Sequence, residues 1–228
     1  MPDQYVDLIV TDPPYDVDYK NKSTELARLG RAREKQIERD KGYVEWDINY
    51  GLFAYQLFRV LKQDAHCYIF CGDKQIVQWT IAMENVGFKF RNYLVWVKNN
   101  TTFDLSRGYK YCYSSEICLF FAKGNKKLNK LGLSNVMKHN IVTGMKHPTI
   151  KPVDLIRNLI TNSSDEGDVV LDPFMGSGTT AVACKQINRK YIGFELNSLY
   201  VDVANDRLGQ DILVNYIPKD REGGQDGL

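Results

Sequence analysis

This chain of 228 residues lacks the features of several specialised protein classes. No apolar run reaches the ~18 residues of a membrane span, and the amino terminus has no signal-peptide pattern. The five cysteines are odd in number and show no metal-ligand spacing with the three histidines, so we expect free thiols, a reducing cytoplasm and no metal. The net charge is only +2, so any nucleic-acid contact must come from local patches.

The composition instead fits a globular protein with a substantial core. Hydrophobic residues make up 43% of the chain and aromatic residues 12%, which excludes a disordered protein. Apolar runs of strand length alternate with helical segments, which favours an α/β fold with a doubly wound, mostly parallel sheet. The runs 92–97 and 117–122 are joined without a helix, so we expect a hairpin with one reversed strand at the sheet edge. We predict a single domain over residues 1–218 and a flexible tail over 219–228.

The most informative stretch is Asp12-Pro13-Pro14-Tyr15, which follows the apolar run 6–11. Two prolines cannot continue a central strand, so they end it and hold the next residues in a stiff, extended turn. A carboxylate and an aromatic ring then lie beyond the carboxyl end of a strand, where open α/β sheets bind ligands. This pair suits a flat ring that carries an amino group, because the carboxylate accepts from the NH2 group and the ring offers a stacking face. An isolated Asp-Pro-Pro triplet would more often be a plain strand-ending turn.

A second motif joins the apolar run 169–171 to a glycine turn and the start of a helix. Gly176, Gly178 and Ala181 have the G-x-G-x-x-G/A spacing of nucleotide-binding units, in which glycines let the backbone approach a ligand. The next predicted strand ends at Glu195, near the roughly 20 residues expected for an acid that binds ribose hydroxyls. A glycine turn alone is weak evidence, but strand, loop, helix, strand and acid in this order indicate a nucleotide-like cofactor.

Together the two motifs resemble the signatures of amino-methyltransferases, which methylate exocyclic amino groups of DNA bases with S-adenosylmethionine. The catalytic motif precedes the cofactor loop, which is similar to the circularly permuted β group of DNA adenine-N6 methyltransferases. The segment 147–155 resembles a third family motif, and the resemblance covers most of residues 5–208. It implies a seven-stranded sheet and a cytoplasmic, bacterial or phage-encoded enzyme that acts on DNA as a monomer or homodimer. A restriction endonuclease would be its partner in the same system.

The resemblance implies roles for individual positions. Asp12, Pro13, Pro14 and Tyr15 would form the catalytic turn, with the flipped-out base stacked on Tyr15. Asp rather than Ser before the two prolines favours adenine over cytosine N4 in this family. The positions that would hold S-adenosylmethionine are Asp12, His147, Thr149, Lys151, Asp172, Pro173, Phe174, Gly176, Ser177, Gly178, Thr179 and Glu195.

Basic residues predict where DNA would lie. Residues 117–153 contain seven lysines and no Asp or Glu, which favours phosphate contacts over a merely solvated loop. We predict a short target-recognition segment over 123–146 and a mobile lid over 16–45. The residues predicted to contact DNA are Lys98, Asn100, Arg107, Lys123, Lys126, Lys127 and Lys130.

Two features depart from the family pattern. The catalytic strand begins almost at Met1, so we expect the usual upstream strand and its adenine-binding acid to be absent or replaced, with residues 212–217 as a substitute edge strand. The recognition segment is also short for reading several bases. Four other functions stay open at this point: an N4-cytosine DNA methyltransferase, an RNA adenine methyltransferase, a nicotinamide-dependent dehydrogenase and an inactive DNA-binding relative.

Overall fold

A computed structural model describes residues 1–14, 49–99, 111, 113–142 and 150–214. Its strands are β1 (Val6–Thr11), β2 (Leu61–Cys71), β3 (Lys89–Lys98), β4 (Ser115–Lys123), β5 (Val136–His139), β6 (Val169–Asp172) and β7 (Lys190–Gly193). Its α-helices are α1 (Tyr50–Val60), α2 (Ile76–Asn85), α3 (Val153–Ser163), α4 (Thr179–Gln186) and α5 (Ser198–Val214). Within these residues the strands form one seven-stranded sheet in the order β5-β3-β4-β2-β1-β6-β7.

The sheet is mostly parallel with one reversed strand, which confirms the predicted fold class. Strand β4 runs antiparallel to both β2 and β3, and the other strand pairs are parallel. The expectation that the reversed strand forms the edge is wrong, because β5 pairs with β3 outside it. Sequence patterns missed β5, since four residues that alternate between exposed and half-buried carry little apolar signal.

Helices cover both faces of the sheet. On one face, Leu57 of α1 and Trp79 of α2 pack into a core with residues of β1, β2 and β4. On the other face, Leu155 of α3 and Cys184 of α4 pack against alternate residues of the same strands. Because β1 is covered on both sides, it reads in the sequence as an almost continuous apolar run.

This layering decides where the ends of the strands meet. Strand β1 lies between β2 and β6, and β6 lies beside β7, all in parallel, so their carboxyl ends share one edge, here called the carboxyl edge. Strand β4 is reversed, so its first residues reach this same edge. Glu116 near the start of β4 thereby pairs with Trp96 near the end of β3.

Several expectations concern segments at the margins of the sheet. Helix α5 continues to Val214, so the substitute edge strand expected over 212–217 is wrong for residues 212–214. A short apolar run of that length suits either a helix or a strand, and periodicity cannot separate the two. The predicted lid over 16–45 and the tail over 219–228 lie outside the described residues, and the single-domain boundary stays a prediction. Among the helices of the described segments, none combines the length and apolar character needed to cross a bilayer.

Four of the cysteines are free and buried, namely Cys67, Cys71, Cys118 and Cys184. Burial raises the pKa of the Cys71 and Cys184 thiols to about 12, so they pack as small apolar groups and stay protonated. Across the described ranges, no group of three or more His, Cys, Asp or Glu side chains is arranged to hold a metal ion.

Candidate active site

The catalytic turn leaves β1 at the carboxyl edge, where the sequence places it. A buried glutamine holds this turn: Gln75 Nε2 donates to the Pro14 carbonyl oxygen at 3.3 Å and to the Tyr50 hydroxyl oxygen at 3.2 Å. Gln75 belongs to a short 3₁₀ turn after β2, and sequence reasoning missed it because nothing local links it to Pro14. Tyr15, the predicted stacking residue, lies outside the described residues.

Asp12 is the first member of a chain of four alternating charges. Lys151 Nζ lies 2.5 Å from Asp12 Oδ2 and 3.1 Å from Glu116 Oε2. Lys98 Nζ in turn lies 2.7 Å from Glu116 Oε1. We call Asp12, Lys151, Glu116 and Lys98 the charge network. Its formal charges sum to zero, which allows it to be partly buried without a large uncompensated charge.

The partners keep both central members of this network ionised. Burial by itself would lower the pKa of Lys151, but the carboxylates of Asp12 and Glu116 raise this pKa above its ordinary value. Burial by itself would raise the pKa of Glu116, but the ammonium groups of Lys151 and Lys98 bring it below its ordinary value. Lys151 is therefore a cation and Glu116 an anion at neutral pH.

Lys151 makes a contact that the family resemblance does not imply. The family resemblance implies that Lys151 lies near the methionine end of the cofactor. In the structure its side chain is 6% exposed and binds the carboxylate of Asp12, the residue assigned to the target amino group. His147 and Thr149, implied by the same motif, lie outside the described residues.

The glycine loop, residues 173–178, follows β6 at the same edge. Gly176 and Gly178 have φ values of 51° and 81°, in the left-handed region that favours glycine. The Gly176 N–H donates to Glu195 Oε2 at 2.9 Å, and Glu195 Oε1 accepts from the Asn197 N–H at 2.8 Å. The acid predicted to bind ribose therefore also holds the loop in shape.

Asp172 ties the loop to the neighbouring strand. Its carboxylate accepts hydrogen bonds from Thr11 Oγ1 at 3.0 Å, from Thr180 Oγ1 at 2.7 Å and from the Phe174 N–H at 3.1 Å. Burial raises the pKa of Asp172 to about 6, although these three hydrogen bonds act in the opposite direction. This predicted cofactor residue therefore supports the loop from within the core.

We expect the contribution of Asp172 to the free energy of unfolding to be lost as the pH rises from about 4 to about 6. In that window the unfolded chain ionises this carboxyl near its ordinary pKa of 3.8, while the folded protein keeps it protonated up to about 6. The shift corresponds to about 3 kcal/mol at 1.36 kcal/mol per pKa unit. Urea denaturation of the wild type and of Asp172→Asn between pH 4 and 7 measures it. A stability difference between the two that stays constant over this range would contradict the assignment.

Arg207 on α5 is a loop contact that the sequence did not reveal. Its Nη1 donates to the Ser177 carbonyl oxygen at 2.7 Å, to Ser177 Oγ at 2.9 Å and to Thr179 Oγ1 at 3.1 Å. Ser177 and Thr179, both predicted to bind the cofactor, are buried and have their hydroxyls turned toward α5. A Cβ atom on Gly178 would lie 2.7 Å from the Cβ of Ala204, so this glycine is needed for helix packing.

An aromatic pair joins the glycine loop to α1. The ring of Phe174 stacks on that of Phe53 with centroids 4.9 Å apart and an interplanar angle of 21°. Phe174 was predicted to contact the cofactor, whereas Phe53 was not identified. Phe53 lies on α1, where the amphipathic pattern indicates only core packing.

The described residues predicted to contact DNA are not brought together. Lys98 lies at the carboxyl edge, but its ammonium binds Glu116. Lys123 is 6% exposed and its Nζ donates to the carbonyl oxygens of Phe58 and Leu61, both at 2.7 Å, so its predicted phosphate contact is wrong. Asn100 and Arg107 lie outside the described residues.

The remaining predicted lysines lie at the opposite edge of the sheet. Lys126, Lys127 and Lys130 follow the carboxyl end of β4, and nine strand residues separate that end from the carboxyl edge by about 26 Å. Lys126 and Lys130 line a cleft of about 490 Å³, whose lining includes none of the residues predicted to bind the cofactor. Because β4 is reversed, these lysines lie at the edge opposite the catalytic turn, and their contact with DNA stays a prediction.

Comparisons with known proteins agree with this architecture. The family N6_N4_Mtase, described as DNA methylase, matches residues 6–206. YubD of Escherichia coli (strain K12) is 35% identical over 207 residues, which cover 91% of this chain and 83% of YubD. Type II methyltransferase M2.DpnII of Streptococcus pneumoniae is 30% identical over 229 residues, which cover 91% of this chain and 84% of M2.DpnII. The solved M1.HpyAVI-SAM complex has a TM-score of 0.67 at 27% identity and covers 89% of each chain.

Proposed function

Because this chain belongs to the DNA methylase family N6_N4_Mtase, we propose that it methylates the N6 amino group of adenine in DNA. The chain is a DNA methyltransferase whose methyl donor is S-adenosylmethionine, the compound present in the M1.HpyAVI-SAM complex. The family name joins N6 and N4, so the choice of adenine over cytosine is the finer part of the proposal.

The link between the catalytic turn and the glycine loop supports this function most directly. Thr11 directly precedes Asp12, and Asp172 directly precedes the glycine loop. Thr11 Oγ1 donates a hydrogen bond to the Asp172 carboxylate at a distance of 3.0 Å. The catalytic turn and the loop are thereby joined across two neighbouring strands at one edge. Transfer between two bound molecules needs such a fixed arrangement, because positioning supplies much of the rate.

The chain's residues would have to make a poor nucleophile reactive. An exocyclic amino group is conjugated with its ring, so its lone pair is poorly available. Asp12 and the Pro13 carbonyl accept hydrogen bonds from this group, favour a pyramidal nitrogen and aim its lone pair. Tyr15 stacks on the base after it has flipped out of the duplex. S-adenosylmethionine, when bound, would supply an activated methyl group to this nitrogen and leave as the thioether, and the proton released by the nitrogen would pass to solvent.

The residues at the glycine loop fit this donor. Positive φ at Gly176 lets the backbone approach a ligand closely, and Glu195 has further lone pairs for ribose hydroxyls beyond the two that accept from the Gly176 and Asn197 N–H groups. Phe174, stacked on Phe53, offers an apolar face next to the loop. We keep Pro173, Phe174, Gly176 and Glu195 as proposed cofactor contacts, together with His147 and Thr149. Asp172, Ser177, Gly178 and Thr179 support the loop, and their predicted cofactor contacts, like those of Asp12 and Lys151, stay predictions.

Mass spectrometry of nucleosides tests the choice of base. Duplex DNA is incubated with the chain and isotope-labelled S-adenosylmethionine and then digested to nucleosides, with a matched RNA in a parallel reaction. We expect label in N6-methyladenine from DNA. Label in N4-methylcytosine, or in RNA alone, would overturn the adenine or the DNA assignment respectively. An absence of label in every arm, together with calorimetric binding of a nicotinamide cofactor, would favour the dehydrogenase alternative.

Partner and assembly stay predictions. M2.DpnII is named a type II methyltransferase, which supports the prediction of a restriction endonuclease partner for this chain. Size measurement of the purified chain in solution distinguishes the predicted monomer from the homodimer.

We expect DNA to lie against the carboxyl edge, where Lys138 is exposed near the end of β5. Lys138→Ala should weaken binding to all DNA sequences alike and reduce the salt slope by up to ~0.9 for one lost phosphate contact. The matched control is Lys127→Ala, an exposed lysine at the opposite edge, which should leave the slope unchanged. Fluorescence anisotropy at several salt concentrations measures both. If Lys127→Ala loses more DNA affinity than Lys138→Ala, DNA would instead lie at the opposite edge of the sheet, against the lysines that the sequence pattern predicted as DNA contacts.

A further inference from the structure

The geometry points to Glu116 and Lys98 as positioning residues for methyl transfer that act on Asp12 through Lys151. This inference rests on the proposed function and deepens it, because it explains how the carboxylate that receives the amino group is held. The sequence suggested no role for Glu116 and a DNA contact for Lys98. Both roles change once the charge network is seen.

Lys151 is shared between two carboxylates. Its ammonium has three N–H donors, of which one reaches Asp12 at 2.5 Å and another reaches Glu116 at 3.1 Å. If Glu116 did not share this cation, the whole positive charge would act on Asp12. Asp12, already in close contact with Lys151, would then be a weaker acceptor for a substrate amino group. Glu116 therefore reduces the electrostatic effect of Lys151 on the Asp12 carboxylate.

Lys98 determines which oxygen of Glu116 is available to Lys151. Its Nζ binds Glu116 Oε1 at 2.7 Å, which leaves Oε2 for Lys151. The Lys98 ammonium also lies 5.3 Å from the centroid of the Trp96 ring. Trp96 is buried and donates from Nε1 to the His139 carbonyl oxygen at 3.0 Å, so this ring is a rigid support. Loss of Lys98 would let Glu116 draw Lys151 away from Asp12.

The reversed strand makes this arrangement available. Glu116 on β4 pairs with Trp96 on β3, and Lys98 is two residues further along β3, so all three side chains share one face of the sheet. Because β4 runs against its neighbours, Glu116 comes to the carboxyl edge at the start of a strand. The positions of both residues are thus set by the pairing of β3 with β4, which does not involve the catalytic turn.

Kinetics of four variants separate a positioning role from a purely structural one. We expect Glu116→Gln to lower kcat by about 10- to 100-fold, as a displaced reacting group does, with KM for DNA and for S-adenosylmethionine within a few-fold. Lys98→Met should lower kcat less, and Lys98→Arg should restore most of it. The double variant Glu116→Gln/Lys98→Met should be no slower than Glu116→Gln alone, because Lys98 acts through Glu116.

Other outcomes would overturn the inference. Thermal unfolding checks that each variant is folded, and the single Lys98 variants, which retain Asp12, Lys151 and Glu116, are the ones to rely on if Glu116→Gln unfolds. Unchanged kcat in folded Lys98→Met, with only a lower melting temperature or a higher KM for DNA, would show a structural or DNA-contact role. Additive losses in the double variant would contradict action through Glu116. A wild type that transfers no methyl group to DNA would overturn the proposed function, whereas an active wild type with these results overturns only the positioning role.

Discussion

Asp12→Asn is expected to abolish methyl transfer, by at least about 1,000-fold in kcat, and to leave the affinity for S-adenosylmethionine within a few-fold. The substitution replaces a carboxylate oxygen, which accepts hydrogen bonds, by an NH2 group, which donates them. That group would face either the target amino group or the Lys151 ammonium 2.5 Å away, and both are donors. Incorporation of isotope-labelled methyl groups measures the rate, and calorimetric titration measures cofactor binding.

The control for this variant is Asp7→Asn on the same strand. Asp7 forms a 2.6 Å ion pair with Lys62 and accepts from the Val169 N–H, so its replacement also removes a partly buried carboxylate. It lies at the other end of β1, and we expect full methyl transfer. Normal activity in Asp12→Asn would remove Asp12 from the mechanism. Equal losses in both variants would show that the loss reflects folding and not chemistry.

The second large effect is expected on stability. Gly178→Val should lower the free energy of unfolding by about 2–5 kcal/mol, because a left-handed backbone is strained for a residue with a side chain and the new atoms would overlap α5. Gly178 has a φ of 81°, and its Cβ would lie 2.7 Å from the Cβ of Ala204. The spacing pattern alone suggests that this substitution would mainly weaken cofactor binding. The structure assigns the larger effect to helix packing, and urea denaturation measures it.

Gly167→Val is the matched control for this prediction. Gly167 has a φ of 84°, and a Cβ built there would meet nothing within 4 Å, so the control carries the backbone strain without the overlap. We expect it to be clearly more stable than Gly178→Val. Equal losses would mean that the contact with α5 contributes nothing. If the Gly178→Val protein has normal stability but binds S-adenosylmethionine weakly, the glycine is needed mainly for cofactor binding, as the spacing pattern suggests.

Contiguous motifs were readable from the sequence because their physics is local. The apolar run of β1 and the two prolines after it place Asp12 at a strand end without any help from distant residues. The glycines at 176 and 178 do adopt positive φ, as a tight turn before a helix requires. The family, the fold class and the methyl donor followed from these stretches and from their order along the chain.

The partners of those motifs were decided only by the tertiary structure. Asp12 and Lys151 are 139 residues apart and Thr11 and Asp172 are 161 apart, so no local pattern could pair them. A count of lysines likewise cannot tell which edge of a sheet they reach. Strand β4 reverses its direction, and this single reversal carries Glu116 to the catalytic turn and the lysines that follow β4 to the opposite edge. Strand pairing is set by packing between distant segments, so it determines which charges meet.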